Sequence, residues 1–93
     1  MPYISKEQRS KLDSEIDSLC SKLSGMGVGD YNYVITRLIH NYIKENGLRY
    51  EHLNSAVGIL ECAKAEFIRA VVNFYEDQKR AENSPISEID GKI

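Results

Sequence analysis

Hydrophobic residues recur at helical spacing in three stretches of the chain. The first stretch follows Ser5, which forms a capping-box pattern with Gln8, typical of a helix start. Its apolar positions repeat every three or four residues, which places them on one face of an amphipathic helix: Leu12, Ile16, Leu19, Cys20 and Leu23. Three glycines within residues 25–29 then predict a connector, because glycine favours turn conformations.

Two further helices follow this connector. The second is predicted from Asp30, a natural N-cap, to the Asn46-Gly47 pair, whose residues tolerate the left-handed conformation that closes helices. The third is much longer, about residues 50–82, and no proline interrupts it before Pro85. The pattern therefore predicts an all-α fold, a small three-helix domain over residues 1–83. Residues 84–93 are predicted to form a flexible tail.

The long third helix carries a heptad repeat. Its members step alternately by four and three positions, and we call them the heptad seam: Leu53, Val57, Leu60, Lys64, Phe67, Val71 and Phe74. A helix of about thirty residues is roughly 45 Å long. The two shorter helices cannot cover both of its sides. We therefore expect a homo-oligomer, a dimer or tetramer, that assembles through this helix.

Composition and charge exclude several classes of function. The 93 residues carry a net charge of −2, which is the wrong sign for binding long nucleic acid. Hydrophobic residues make up 42% of the chain, as in an ordinary globular domain. No apolar run has the eighteen or so residues that a membrane span needs, and the N-terminus lacks the apolar core of a signal peptide. We expect a cytoplasmic protein that does not bind membranes.

The cysteines and histidines do not predict catalytic or metal chemistry. Cys20 and Cys62 stand far apart, without a CxxC motif, and are predicted to be buried and inert. His40 and His52 have no neighbouring ligand at metal-binding spacing. We therefore expect no metal, no cofactor and no catalytic activity.

Polar side chains of the second helix lie beside its apolar stripe. Asn32 and Thr36 are four residues apart on one ridge, which His40 extends, and Tyr33 and Arg37 are four apart on the next. One interpretation is a solvated edge on which Arg37 stacks on Tyr33 in a cation–π pair. The other is a binding surface in which the guanidinium holds a phosphate or carboxylate. The spacing alone leaves both open.

The third helix offers two more cations, Lys64 and Arg69. A lysine inside an apolar seam costs stability unless its charge is paired or used. A structural ion network with Glu61 and Glu66 is one explanation. The alternative is a cationic cleft that Lys64 forms against a partner subunit.

Four separated motifs resemble a known family. They are the opening MPYI-x-KE-x-R, Asn32-Tyr33-x-Ile35-Thr36-Arg37-Leu38, Leu60-Glu61-Cys62-Ala63-Lys64-x-Glu66-Phe67, and Tyr75-Glu76-Asp77 with the later Glu82-Asn83. In this order they resemble a family of small phage and bacterial proteins that has no assigned function. The resemblance covers residues 1 to about 83. The chain departs from the family pattern at Ser84-Pro85, where a glycine and an acidic residue are usual, and at Ser10 and Ser14, which replace prolines.

A small phage protein with many polar motif residues and an oligomerising surface is similar to the anti-CBASS sponge proteins of phages. That similarity implies a non-enzymatic protein that evades host immunity by holding a cyclic di- or trinucleotide at subunit interfaces. Arg37 and Lys64 would then neutralise phosphates, with Arg69 as a weaker third cation. The other expected ligand-binding residues would stack on bases or bind base and ribose edges: Tyr3, Tyr33, Asn32 and Thr36.

Two other functions remain open from the sequence. The exposed seam of the long helix could serve a protein-binding inhibitor or adaptor, in which tyrosines anchor the interface. A hydrolase would need Glu61 and Glu66 to hold a metal, and no further ligands stand at matching spacing.

Overall fold

Helices account for every regular element of the computed structural model, which describes residues 3–92 and only the backbone of Lys92. The four α-helices are α1 (Lys6–Lys22), α2 (Val28–Asn46), α3 (Tyr50–Phe67) and α4 (Asn73–Asn83). A π-helical turn, Ile68–Val72, joins α3 to α4, and Asp90–Lys92 form a single 3₁₀ turn. The all-α class is confirmed. So is the long third helix, a continuous 34 residues made of α3, the π-turn and α4.

The starts of α1 and α2 follow from local hydrogen bonds. Ser5 is the N-cap of α1, and its hydroxyl accepts from the Gln8 N–H at 3.2 Å, as the sequence predicts. The helix α2 begins earlier than expected, because Gly27 is its N-cap rather than Asp30. Asp30 instead lies in the first turn, where its carboxylate accepts from the Gly27 N–H at 3.1 Å.

Gly47 ends α2 and leads into α3. Its N–H donates to the Ile43 carbonyl at 2.7 Å, and its φ of 108° is a conformation that side chains disfavour. The carbonyl of Gly47 accepts a hydrogen bond from His52 Nδ1 at 2.9 Å, so His52 ties the start of α3 to this turn. The predicted stop at Asn46-Gly47 is therefore confirmed.

The long helix is not a uniform α-helix. At its π-turn the Asn73 N–H donates to the Ile68 carbonyl, five residues earlier. A π-turn accommodates one extra residue, so the face of α4 is rotated relative to an uninterrupted α-helix. The heptad spacing did not predict this interruption, which falls between Phe67 and Phe74.

The chain divides into two units, Met1–Ala56 and Val57–Ile93. In the first unit Leu23 and Ala56 are buried, and no described residue of the second unit is. The predicted burial of Cys20 and Cys62 is wrong within the single chain, since both thiols are exposed. Cys20 is exposed because the apolar stripe of α1 on which it lies is uncovered. Leu12 and Ile16 on the same stripe are each half exposed.

The segment after α4 makes local hydrogen bonds. The Asp90 carboxylate accepts from the backbone N–H groups of Ile86 and Ser87, at 3.0 and 2.9 Å. The Arg80 guanidinium donates to the Asp90 carbonyl at 3.2 Å. The mobility expected for residues 84–93 stays a prediction, and Ile93 lies outside the described residues. Within the described residues, no helix is long and apolar enough to cross a bilayer.

Candidate functional site

Tyr33 and Arg37 form a pre-arranged pair on the surface of α2. Arg37 Nη1 donates to the Tyr33 hydroxyl at 2.7 Å, and the guanidinium carbon lies 5.6 Å from the centre of the tyrosine ring. The four-residue spacing on one helix produces this contact. The cation–π pair of the solvated-edge interpretation is therefore present, and Arg37 is exposed.

Arg37 also lines an open cleft along the C-terminal half of α2. The cleft has a volume of about 400 Å³, and we call it the α2 cleft; its lining residues are Arg37, Leu38, His40, Asn41 and Lys44. Arg37 and Lys44 make no ion pair among the described residues, and no carboxylate lines the cleft. Two unneutralised cations thus share one surface with a histidine and an amide, which can donate hydrogen bonds to an anion.

A second, apolar cavity lies where α1 meets α2. It measures about 200 Å³, and we call it the corner pocket; its lining residues are Leu19, Lys22, Leu23, Met26, Asp30, Tyr33 and Val34. Tyr33 lines the corner pocket, and its partner Arg37 lines the α2 cleft. The Tyr33–Arg37 pair therefore connects an apolar cavity to a cationic cleft within the first unit.

Three of the sequence-predicted ligand residues of the first unit lie outside both cavities. Asn32 and Thr36 are exposed on the neighbouring ridge of α2 and line neither cavity. Tyr3 precedes α1 with a φ of 60° and 64% of its surface exposed, and it lines neither cavity either. The single chain thus brings together only Tyr33 and Arg37 of the predicted residues on this unit.

Lys64 and Arg69 belong to the second unit. Arg69 makes a bidentate ion pair with Glu66, with a closest N–O distance of 2.8 Å. Its charge is therefore partly neutralised, which weakens it as a phosphate ligand. Lys64 is exposed and takes part in no ion pair among the described residues, so the predicted ion network includes Arg69 and Glu66 but not Lys64.

Asn41 and Lys44 line the α2 cleft but were not among the predicted ligand residues, and His40 was placed only on a polar ridge. The spacing of 37, 40, 41 and 44 puts all four side chains on one helix face, so the sequence contains the signal. A lysine near the end of α2 is also favoured by the helix dipole alone, so Lys44 is not by itself specific for a site.

The arrangement is suited to binding anions rather than to metal chemistry. Among residues 3–92 no group of three or more His, Cys, Asp or Glu side chains comes close enough to hold a metal ion. What the described residues provide is a pair of cations, hydrogen-bond donors and an adjoining apolar cavity that contains one tyrosine face.

Comparison with known proteins identifies the family alone. Residues 1–86 match the model of a family described as a domain of unknown function, DUF6899. No curated protein and no solved structure matches the chain. The predicted membership of a family without an assigned function is thus confirmed. Because the match covers most of its length, the chain belongs to the DUF6899 family.

Proposed function

We propose that this protein binds and sequesters a small cyclic nucleotide without cleaving it. The observation that carries the proposal is the α2 cleft, where Arg37 and Lys44 make no ion pair with any described residue and no carboxylate lines the surface. A chain with net charge −2 that keeps these two cations together on one helix face is suited to a small, multiply charged anion.

The corner pocket supports a nucleotide over a simple phosphate. Its lining is apolar apart from Lys22, Asp30 and the tyrosine hydroxyl, so it favours a flat, weakly polar group such as a base. Tyr33 offers a ring face for stacking at the edge of this pocket. Tyr33 and Lys44 are eleven residues apart, roughly 16 Å along the helix. That length fits a ligand with a base and more than one phosphate.

The remaining expected residues fit the proposal if subunits associate. Lys64 would add a cation from a partner subunit, and Arg69 a weaker one, because Glu66 already binds it. Asn32, Thr36 and Tyr3 would complete the site as hydrogen-bonding and stacking groups near a subunit interface. The protein would then act as a homo-oligomeric phage-type sponge in the cytoplasm of a host bacterium, depleting an immune signal by mass action.

Calorimetric titration against cyclic dinucleotides and trinucleotides tests this function. We expect saturable binding of at least one cyclic nucleotide, with affinity that falls as salt increases, because exposed charges are screened. Chromatography of the ligand after release from the protein should recover it intact. Degraded ligand would show a hydrolase instead.

A matched pair of variants locates the binding site. Arg37→Ala removes a cation from the α2 cleft, whereas Arg9→Ala removes one from an exposed position on α1 that makes no ion pair within residues 3–92. Both variants change the net charge equally. We expect only Arg37→Ala to weaken binding strongly, by about a hundredfold. Equal losses would attribute binding to net charge, and no binding by the unaltered protein would refute the sponge function.

A protein-binding inhibitor or adaptor is the second candidate. The observation that favours it is the exposed apolar face of the long helix, where Phe67 and Phe74 are 59% and 63% exposed. An amphipathic helix of this kind can enter a groove on another protein. If no nucleotide binds, this candidate becomes the leading one.

A further inference from the structure

The second unit exposes a continuous apolar face. Its members follow the heptad seam from Val57 onward, with Lys64 at the centre and these exposed fractions: Val57 60%, Leu60 42%, Phe67 59%, Val71 50% and Phe74 63%. Ile68 and Tyr75 flank the seam and are 39% and 54% exposed. No described side chain of the second unit is buried, so this face lacks a cover within the described chain.

The area of this face matches the requirement of a stable interface. Without Phe74, which the π-turn rotates off the seam, the other six apolar residues together expose roughly 550 Å², near the lower end of the roughly 600–1,000 Å² that each partner contributes to a standard interface. A soluble monomer rarely exposes a contiguous apolar patch of this size. The exposed area is therefore large enough for a partner that covers the whole length of the seam.

We propose that a second copy of this chain covers the seam, with the two long helices antiparallel about a two-fold axis between Lys64 and Phe67. In this register Lys64 of each copy faces Phe67 of the other, Leu60 faces Val71, and Val57 faces Tyr75, which the π-turn brings to the phase that Phe74 would have in an uninterrupted helix. Each contact occurs twice, as a two-fold interface requires. Each apolar residue of this register meets another apolar residue or, in the central layer, a lysine stem.

Lys64 selects the antiparallel orientation. In a parallel pair, equivalent positions face each other, and the two ammonium groups would repel within a partly dry seam. In the antiparallel pair each ammonium approaches an aromatic ring, which attracts it, and the aliphatic stem packs on the seam. The lysine therefore disfavours one orientation and is accommodated in the other.

The π-turn adjusts the outer layers of this pairing. The central layer, Lys64 against Phe67, precedes the π-turn in both copies. Beyond it, the extra residue of the turn rotates α4 by about one residue, roughly 100°, so Tyr75 takes the seam position and Phe74 turns away from it. The small side chains Ala63 and Ala70 border the seam and allow the two backbones to approach closely. Nucleotide binding is not required for this pairing, because no residue of the α2 cleft takes part in it.

Sedimentation of the full chain tests whether a second copy covers the seam. We expect the unaltered protein to sediment at twice its 10.6 kDa mass or at a multiple of that dimer. Phe67→Asp should raise the dissociation constant by about a hundredfold or more, because it places an unpaired charge in the seam. Ala65→Asp, at an exposed position off the seam, should leave it unchanged. A folded 10.6 kDa monomer for the unaltered chain would overturn the proposal.

Disulfide cross-linking tests the orientation without relying on a disruptive variant. The native thiols are first removed as Cys20→Ser and Cys62→Ser, and Leu60→Cys and Val71→Cys are then introduced into separate preparations. After mixing and mild oxidation, we expect predominantly disulfides between one chain of each kind. Disulfides joining two Leu60→Cys chains would show a parallel pair and refute the antiparallel register. An absence of any cross-link would refute the pairing through this face.

Discussion

The α2 cleft and the heptad seam are the two prominent surfaces of this protein, and they differ in how complete they are. The cleft belongs to the first unit, and one of its cations, Arg37, is already held by the 2.7 Å contact with Tyr33 of the adjoining corner pocket. The part of the seam from Val57 onward belongs to the second unit, and its side chains are exposed. The cleft can be described within one chain, whereas the seam has no cover among the described residues of the second unit.

The difference has a physical cause. An exposed guanidinium keeps its hydration and costs the free chain little, so a cationic cleft can exist without its ligand. Exposed apolar area costs about 25 cal/mol for each Å² left in water. For a face of roughly 550 Å² this amounts to more than about 10 kcal/mol. Covering the face in an interface would recover only part of this free energy, because association costs translational, rotational and side-chain freedom.

The largest effect is expected when charges replace apolar residues of the heptad seam. The double variant Val57→Asp and Phe67→Asp should abolish association, since each uncompensated charge costs several kcal/mol. The melting temperature of the unaltered protein should rise with protein concentration, as association by mass action requires. That of the variant should be lower and independent of concentration. Thermal unfolding followed by circular dichroism over a hundredfold range of concentration measures both.

The control for this test is Ile86→Asp, which makes the same kind of substitution at a residue that is 96% exposed outside the seam. It should melt like the unaltered protein. If nucleotide sites are completed by a partner, the double variant should also lose nucleotide affinity, whereas Ile86→Asp should keep it. If the melting temperature of the unaltered protein does not change with its concentration, the protein does not associate, and the proposal that a second copy covers the heptad seam is contradicted.

The helices could be predicted because their ends are encoded locally. Ser5 caps α1 through one side-chain bond, and Gly47 ends α2 in a conformation that suits glycine. The π-turn could not be predicted, and the reason is also physical. Apolar residues at 67, 68, 71, 72, 74 and 75 fit the phase of an uninterrupted helix and also the phase after one inserted residue. The pattern therefore identifies a long helix and does not determine its winding.

Burial was predicted less well than secondary structure. Apolar spacing indicates which face of a helix needs a cover but does not say whether the same chain supplies it. Cys20 lies on such a face and is exposed in the single chain. At the site, helix spacing alone predicts the Tyr33–Arg37 contact, since both residues are on α2. Contributions from Lys64 or Tyr3 depend on tertiary or quaternary arrangement, which spacing does not specify.

The next largest effect is expected at Arg37. Arg37→Ala should weaken nucleotide binding by about a hundredfold, or roughly 3 kcal/mol, because a charge-assisted contact to phosphate is lost. Its melting temperature should stay nearly unchanged, since an exposed arginine contributes under about 1 kcal/mol to stability. Arg37→Lys should recover only part of the affinity, because an ammonium cannot make a bidentate contact. Calorimetric titrations and melting curves on both variants provide the measurements.

The opposite result would assign Arg37 a structural role. If Arg37→Ala lowers the melting temperature and keeps the affinity, the Tyr33–Arg37 pair is structural and Arg37 is not in the binding site. The α2 cleft would then lose its central cation as a ligand-binding group. The heptad seam would then be the remaining candidate interaction surface.

A smaller effect is expected at Lys64. It shows whether this residue belongs to the heptad seam or to the nucleotide-binding site. Lys64→Leu should tighten self-association by about tenfold, near 1.4 kcal/mol, because it removes a charge from the middle of the seam. If Lys64 also reaches a bound phosphate, the same variant should weaken nucleotide binding. Sedimentation and titration on one preparation separate these roles. Weaker self-association would mean that the ammonium stabilises the interface instead.

The smallest effect concerns Asp90, which belongs to neither surface. The backbone N–H of Ser87, followed by that of Ile86, holds the pKa of the Asp90 carboxyl below its ordinary value of 3.8. A carboxyl whose pKa is lowered by folding stabilises the turn fully above that ordinary value, and the stabilisation is lost as the pH falls through the lower folded value. The amide resonances of Ile86 and Ser87 should therefore shift toward unstructured values only below about pH 3.8. Asp90→Asn should remove this titration, and resonances of the α2 cleft should not follow it. If cleft resonances titrate together with those of Ile86 and Ser87, the turn is coupled to the first unit and the two surfaces do not respond independently.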